Sequence, residues 1–310
     1  MSAISFPVML ADQHGGDLPA GLGRMCDAIE QRHGQAVIGI AFYGSCRRTH
    51  DATNGLIDLL VLVDDYRQAL GSRIAALLNR ALPPNVYYLQ CEDQGVILRS
   101  KYAVIELDQL ERRARARHDH YFWARFCQPL RLARGDQALH ERLAALRSGC
   151  AVSFSRRIAP IMPGPMTALD FWTLALRTTY RCELRPEPEG AARLLIENDL
   201  NFWSSLSDDL SRHPDSRLRS SHGLLIKQAG FTTGILTRIS WGLRRISGKA
   251  MNLARLFKAA GTFSNGVDYL VWKVERHSGV KVEPTERMRR HPRLAIWGLA
   301  WQMWRQGGFR

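Results

Sequence analysis

The sequence predicts an α/β fold in three parts: a mixed-sheet domain over residues 1–145, a mainly helical domain over 146–235, and a basic C-terminal helical segment over 236–310. Three observations predict it. Short apolar, β-branched runs bounded by turn residues crowd the first third of the chain, and helical periodicity takes over in the middle. The positive charge, finally, is gathered at one end. From Leu236 to Arg310 there are 15 Lys and Arg against 4 Asp and Glu, a net of +11. The whole chain of 310 residues carries +14, which leaves +3 for everything before that segment. An excess so confined points to an anionic partner for that end, either nucleic acid or a membrane surface.

The strands come first. Ala36–Phe42 is short, apolar and β-branched and runs into Tyr43-Gly44-Ser45, which reads as a buried strand ending in a tight turn. After a polar loop, Leu56–Val63 reads as a second buried strand, stopped by Asp64-Asp65. Tyr66–Ala81 has helical periodicity and ends at Pro83-Pro84, and Val86–Gln90 and Lys101–Leu107 are further strands. In the middle, Thr167–Thr179 and Gly190–Leu210 are helices separated by the Pro-rich turn Arg185–Pro188.

Hydrophobic residues make up 45% of the chain and charged residues 23%, the balance of a globular protein. The N-terminus has no basic start and is interrupted by Asp12, so neither a signal nor a transit peptide is expected. The six cysteines are scattered with no CxxC pair, which reads as reduced thiols. His118 and His120 have no partners at metal-ligand spacing and read as surface residues. The longest apolar run, Leu294–Trp304, makes a helix of about 16 Å against a hydrocarbon core of about 30 Å, too short to cross a bilayer.

The strand, then Gly44-Ser45, then a polar loop, then Ile57-Asp58-Leu59 on the next strand, is the opening of a nucleotidyltransferase-like site. A triphosphate must be held by backbone N–H groups and a small hydroxyl, and glycine lets the chain come that close. An Asp on the neighbouring strand then holds Mg²⁺ or Mn²⁺, which neutralises phosphate charge. Many such enzymes carry Asp-x-Asp here; this chain has Leu60 at the second position, so another ligand has to come from elsewhere.

Several separate segments resemble the phosphatidate cytidylyltransferases of the mitochondrial translocator assembly and maintenance family. Phe42-Tyr43-Gly44-Ser45 with Ile57-Asp58-Leu59 is similar to that family's opening, which also has a single Asp. Val86-Tyr87-Tyr88 and Lys101-Tyr102-Ala103-Val104-Ile105 resemble its next two strands. Tyr121, Arg125, Gln128 and Pro129 keep the spacing of its Tyr-x-Ala-Gly-Arg-x-x-Lys-Pro segment. Tyr180, Glu183 and Arg185 match Tyr-x-x-Asp-x-Arg, and Arg255, Lys258 and Gly261 fall in a stretch similar to its Gln-x-x-Lys-Gly. The order holds from about residue 40 to 275. Cys46 and Ala103 stand where the family has glycine, Glu183 for aspartate and Gln128 for lysine.

The resemblance implies a reaction of CTP with phosphatidic acid that yields CDP-diacylglycerol and pyrophosphate. It implies Mg²⁺ (or Mn²⁺) on Asp58, with Glu183 as the second ligand, and Lys101, Arg125, Arg185 and Lys258 as phosphate contacts beside Gly44 and Ser45. Tyr87 and Tyr88 point to opposite faces of a strand, so at most one lines a pocket; Tyr87 is the candidate. The alternatives are Arg125 as a helix surface residue and Glu183 with Arg185 as a structural ion pair. Glu106 is a weaker third carboxylate, unsupported by the resemblance. A winged helix is among the architectures open to the middle domain.

Trp297, Trp301 and Trp304 lie on one helical face, flanked by Arg293 and Arg305. Such a helix suits the headgroup region of an anionic membrane. The expected location is therefore the cytoplasmic face of a bacterial inner membrane, or the matrix side in a mitochondrion. Packing of the tryptophans on the protein body is the plainer alternative. A transferase acting on RNA is the competing function, and a membrane adaptor without catalysis a third. The end lacks any RNP-like, KH-like or zinc-knuckle signature, so no nucleic-acid partner is expected.

Overall fold

The computed structural model describes residues 5–14, 17–49, 51, 55–183 and 190–262. Two helices, α1 (Pro7–His14) and α2 (Leu22–His33), precede the first strand, β1 (Val37–Tyr43). A short helix, α3 (Ser45–Thr49), begins directly after Gly44, and β2 (Ile57–Val63) returns antiparallel to β1. The apolar runs that identify β1 and β2 are buried because both strands lie inside a sheet covered on both faces.

The periodic stretch 66–81 is two helices, not one: α4 (Tyr66–Leu70) and α5 (Arg73–Ala81). Gly71, at φ 62°, stops α4, and the Ser72 hydroxyl accepts from Ala75 N to start α5. Next come β3 (Asn85–Asp93) and β4 (Val96–Glu106), longer than their apolar cores indicate. Gln94 and Gly95 join them with φ of 48° and 81°, the left-handed pair a two-residue hairpin requires. Helices α6 (Leu107–Arg115) and α7 (His120–Phe126) lead to β5 (Leu130–Arg134). The sheet order is β3-β4-β2-β1-β5, with β2 and β4 parallel and the other neighbours antiparallel.

A long helix, α8 (Gln137–Ile158), follows, capped by the Asp136 carboxylate on Leu139 N. It runs straight through the 145/146 boundary. Its Arg147 is fully buried and donates to Asp12 at 2.8 Å and to the carbonyls of Met9, Phe126 and Gln128. One guanidinium thus ties α1, α7 and α8 together; with the charge paired and its donors used, burial is tolerable.

The middle of the chain consists of three helices followed by a hairpin. Helices α9 (Ala168–Tyr180), α10 (Ala191–Glu197) and α11 (Leu200–Arg212) precede a hairpin, β6 (Leu218–Ser221) and β7 (Leu224–Lys227), and a bridge from Met166 to Leu225 adds a third extended segment. The expected helix over 190–210 is broken at Asn198-Asp199 into α10 and α11. Trp172 packs on Trp203 with ring centroids 4.7 Å apart, and its Nε1 donates to Ser207 Oγ at 3.0 Å.

The last described helix, α12 (Phe231–Thr262), starts before residue 236 and returns to the sheet domain. Its close approach to the end of α9 depends on Gly248, where a Cβ would sit 2.6 Å from the Cys182 carbonyl oxygen. Among the described residues no helix is long and apolar enough to cross a membrane. None of the six cysteines forms a disulfide, and five of them are buried.

Candidate functional site

The site forms where β1 ends. Gly44 has φ +80°, a conformation L-residues avoid, and a Cβ added there would lie 2.8 Å from Asp58 Oδ2. Glycine is required here on both counts. Ser45, exposed, opens α3 immediately after.

The register builds the rest. Tyr43 pairs with Asp58, Asp58 with Lys101, and Lys101 with Tyr88. Cross-strand partners project from the same face, so Tyr43, Asp58, Lys101 and Tyr88 form one row across four strands at about 4.8 Å per strand. Asp58 and Lys101 are half-buried, an acid and a base on adjacent strands.

Arg125, on α7, closes the row from above. Its Nη1 donates to Tyr43 Oη at 3.3 Å, and its guanidinium lies 4.8 Å from the centre of the Tyr121 ring, one helical turn away. Burial alone would lower the Arg125 pKa, but Tyr121, Tyr43, Glu183 and Asp58 together outweigh it and raise it. The guanidinium is therefore a permanent cation facing both carboxylates. The Tyr43 hydroxyl, buried beside it, is pushed up to about 12, mainly by burial, so it stays protonated.

Glu183 follows the end of α9 and lines a cleft of about 340 Å³ with Asp119, Tyr121, Met251 and Arg255. Arg255 lies over the Tyr121 ring as well, 4.3 Å from its centre, and pairs with Asp119 at 3.7 Å. Tyr121 thus holds two arginines near the site. Arg47 of α3 pairs with Asp199 at the start of α11, which joins the segment after the Gly44–Ser45 turn to the middle of the chain.

Gly44, Asp58 and Lys101 are therefore brought together, with Ser45 beside Gly44 and Arg125 bonded to Tyr43 of the same row, while Glu183 lines the neighbouring cleft and is linked to them through its charge interaction with Arg125. Two other candidates are not. Tyr87 belongs to the opposite face: it is 9% exposed, stacked on Tyr102 at 5.3 Å and 5.8 Å from His33, with Asn85 donating to its hydroxyl. It is a core residue, and Tyr88 takes its place in the site row. Lys258 is also a correction. Its Nζ donates to Asn79 Oδ1 at 3.0 Å, to Pro84 O at 3.1 Å and to Leu82 O, which uses the three donors an ammonium has. Burial, with Arg255 nearby, lowers its pKa to about 8. It ties α12 to the turn between α5 and β3 and has no donor left for phosphate.

Glu106 is a structural carboxylate, accepting from Tyr66 N at 2.8 Å and from Arg80 at 3.0 Å. His120 is buried rather than on the surface, and burial with Arg244 and Arg255 lowers its pKa to about 4. Arg185, Arg293, Arg305, Trp297, Trp301 and Trp304 lie outside the described residues.

The donor set suits a divalent cation only in one mode. Among the described residues no three His, Cys, Asp or Glu groups converge. Magnesium, however, is commonly held by one or two carboxylates together with substrate phosphates. Asp58, with Glu183 facing the same guanidinium, fits that mode.

No family model matches the chain, and no curated protein matches it. Among solved structures it is similar to a nucleotidyltransferase-like protein from Exiguobacterium sibiricum 255-15, at 10% identity and a TM-score of 0.28, over 93% of this chain and 92% of that one.

Proposed function

We propose that this chain is a nucleotidyltransferase that joins CTP to phosphatidic acid, releasing CDP-diacylglycerol and pyrophosphate. The observation that carries the transferase reading is the packing of Gly44 against Asp58, with Lys101 in register and Arg125 facing both carboxylates. The choice of CTP and phosphatidic acid rests on the sequence resemblance over residues 40–275.

A phosphatidate oxygen attacks the α-phosphorus of CTP; the bond from that phosphorus to the bridging oxygen breaks, and pyrophosphate leaves. The attacking phosphomonoester has a second pKa of about 6 and is mostly dianionic at neutral pH, so it needs little general-base help. What opposes reaction is repulsion between two anions. Lys101 and Arg125 offset it, Arg125 with a planar fork suited to two phosphate oxygens. The backbone at Gly44 and the Ser45 hydroxyl hold the triphosphate. Asp58, with Glu183, would hold Mg²⁺ (or Mn²⁺), which supplies charge neutralisation at the phosphates.

Two features favour a lipid over RNA as acceptor. The helix before the hairpin, α11, carries Asp208 and Asp209 against one Arg, the wrong sign for a nucleic-acid recognition helix. Along α12, Leu236, Ile239, Leu243 and Ile246 are exposed at helical spacing, with Arg238, Arg245 and Lys249 beside them. That pattern suits an anionic lipid surface.

The test is incubation of purified protein with Mg²⁺, CTP and phosphatidic acid in detergent. CDP-diacylglycerol and pyrophosphate should form together. Pyrophosphate released equally fast without lipid would sink the phosphatidate assignment.

A further inference from the structure

A groove lies away from the Asp58 row and shares no lining residue with it. It encloses about 800 Å³ between α6, α8 and the residues before β6, and Arg115, Arg117, Arg142, Arg156 and Arg157 are in its wall. Its acidic residues do not balance these. Glu111 is taken by Arg142 at 2.5 Å and Arg115 at 3.8 Å, which leaves Asp215.

The remaining arginines crowd one another. Arg157 is half-buried, its guanidinium 4.1 Å above the centre of the Trp123 ring. Its pKa is lowered to about 10, first by burial and then by Arg244, Arg156, Arg117 and Arg217. Arg244, 8% exposed, lies 5.7 Å from the same ring and donates to the Arg117 carbonyl at 2.9 Å. Its buried Nε has no hydrogen-bond acceptor among the described residues. Two guanidinium groups share the Trp123 ring and others line the groove beside them, so an anion placed among them relieves unbalanced positive charge.

We propose that this groove is a second anion site, which seats the phosphate of a phosphorylated ligand on Arg117, Arg156 and Arg157. The planar forks favour phosphate over a simple halide, and the Trp123 ring fixes the direction of the central one. Ala145, Leu146 and Val152 in the same wall leave room for an apolar or ring-bearing remainder of the ligand. The site does not depend on the transferase reading.

Calorimetry on the full chain carrying Asp58→Asn, without divalent metal, separates it from the nucleotide site. The probes are inorganic pyrophosphate and a short-chain phosphatidic acid below its micelle concentration. At least one should bind, in competition with salt. Binding by pyrophosphate identifies a free polyphosphate as sufficient, and binding by the lipid alone identifies a headgroup. Arg117 and Arg156 are exposed, so Arg117→Gln with Arg156→Gln should leave the melting temperature unchanged and weaken that binding about tenfold or more. Lys101→Gln should not affect it. If neither probe binds, or if binding ignores the double arginine change, the groove is not an anion site.

Discussion

Gly44 and Asp58 are in contact so close that a single methyl group between them does not fit: a Cβ on Gly44 would stand 2.8 Å from Asp58 Oδ2. Gly44→Ala therefore meets two penalties. The left-handed backbone disfavours any L-residue by about 1–2 kcal/mol, and the new methyl pushes the carboxylate out of its row. The expected outcome is a loss in kcat/KM of about tenfold or more, with a modest fall in melting temperature. Full activity in Gly44→Ala would separate Asp58 from the chemistry.

Arg125 is expected to matter more than either of its neighbours on α7. Arg125→Gln removes the cation that faces Asp58 and Glu183 together, and preorganised charge of this kind is worth about 3 kcal/mol, or roughly a hundredfold in kcat. Arg125→Lys should recover part of that, since charge returns without the fork. Glu183→Gln tests the second carboxylate. A steeper Mg²⁺ dependence is expected, and an unchanged metal titration would demote Glu183 to a structural acid.

Lys258→Met is expected to act on stability and not on turnover. Loss of the ammonium leaves Leu82 O, Pro84 O and Asn79 Oδ1 without their donor, a cost of about 1–3 kcal/mol. Denaturant unfolding should report that loss while kcat stays within about twofold. A drop in kcat with unaltered stability would return Lys258 to the phosphates.

His120 makes a pH prediction. Its folded pKa lies near 4, below the ordinary 6.5, because burial first and then Arg244 and Arg255 oppose its charging. Between those values the unfolded chain takes up a proton that the folded chain refuses, so stability must fall as pH falls from 6.5 toward 4. Replacing the ring with a group that does not titrate, as in His120→Gln, should flatten that part of the stability curve. An identical acid slope in both proteins would contradict the buried, neutral assignment.

Much of the sheet and part of the site were legible in the sequence because they rest on local signals. β1 and β2 are uninterrupted apolar runs, and Gly44 and Asp58 sit at their ends. Alternation tells that Tyr87 and Tyr88 face opposite ways but not which faces the site; that is set by the pairing of Tyr88 with Lys101, a long-range fact. The basic side chain of Lys258 is indistinguishable in sequence from a phosphate contact, and only the fold reveals the carbonyls gathered around it. β6 and β7 are four residues each, too short to show a period, so neither strand could be placed from the sequence. The partnership of Tyr121 with Arg125 did have a signal, the spacing of four within a helix.

The central claim is that Asp58 supports cytidylyl transfer to a lipid phosphate, and one measurement addresses it most directly. Wild-type and Asp58→Asn proteins, matched for fold by circular dichroism, are given α-labelled CTP and Mg²⁺ with and without phosphatidic acid. The label in the lipid phase is then counted. It should appear there only with wild-type protein and only when phosphatidic acid is present. Equal labelling by Asp58→Asn, or no lipid label from the wild type under any metal, would contradict the claim.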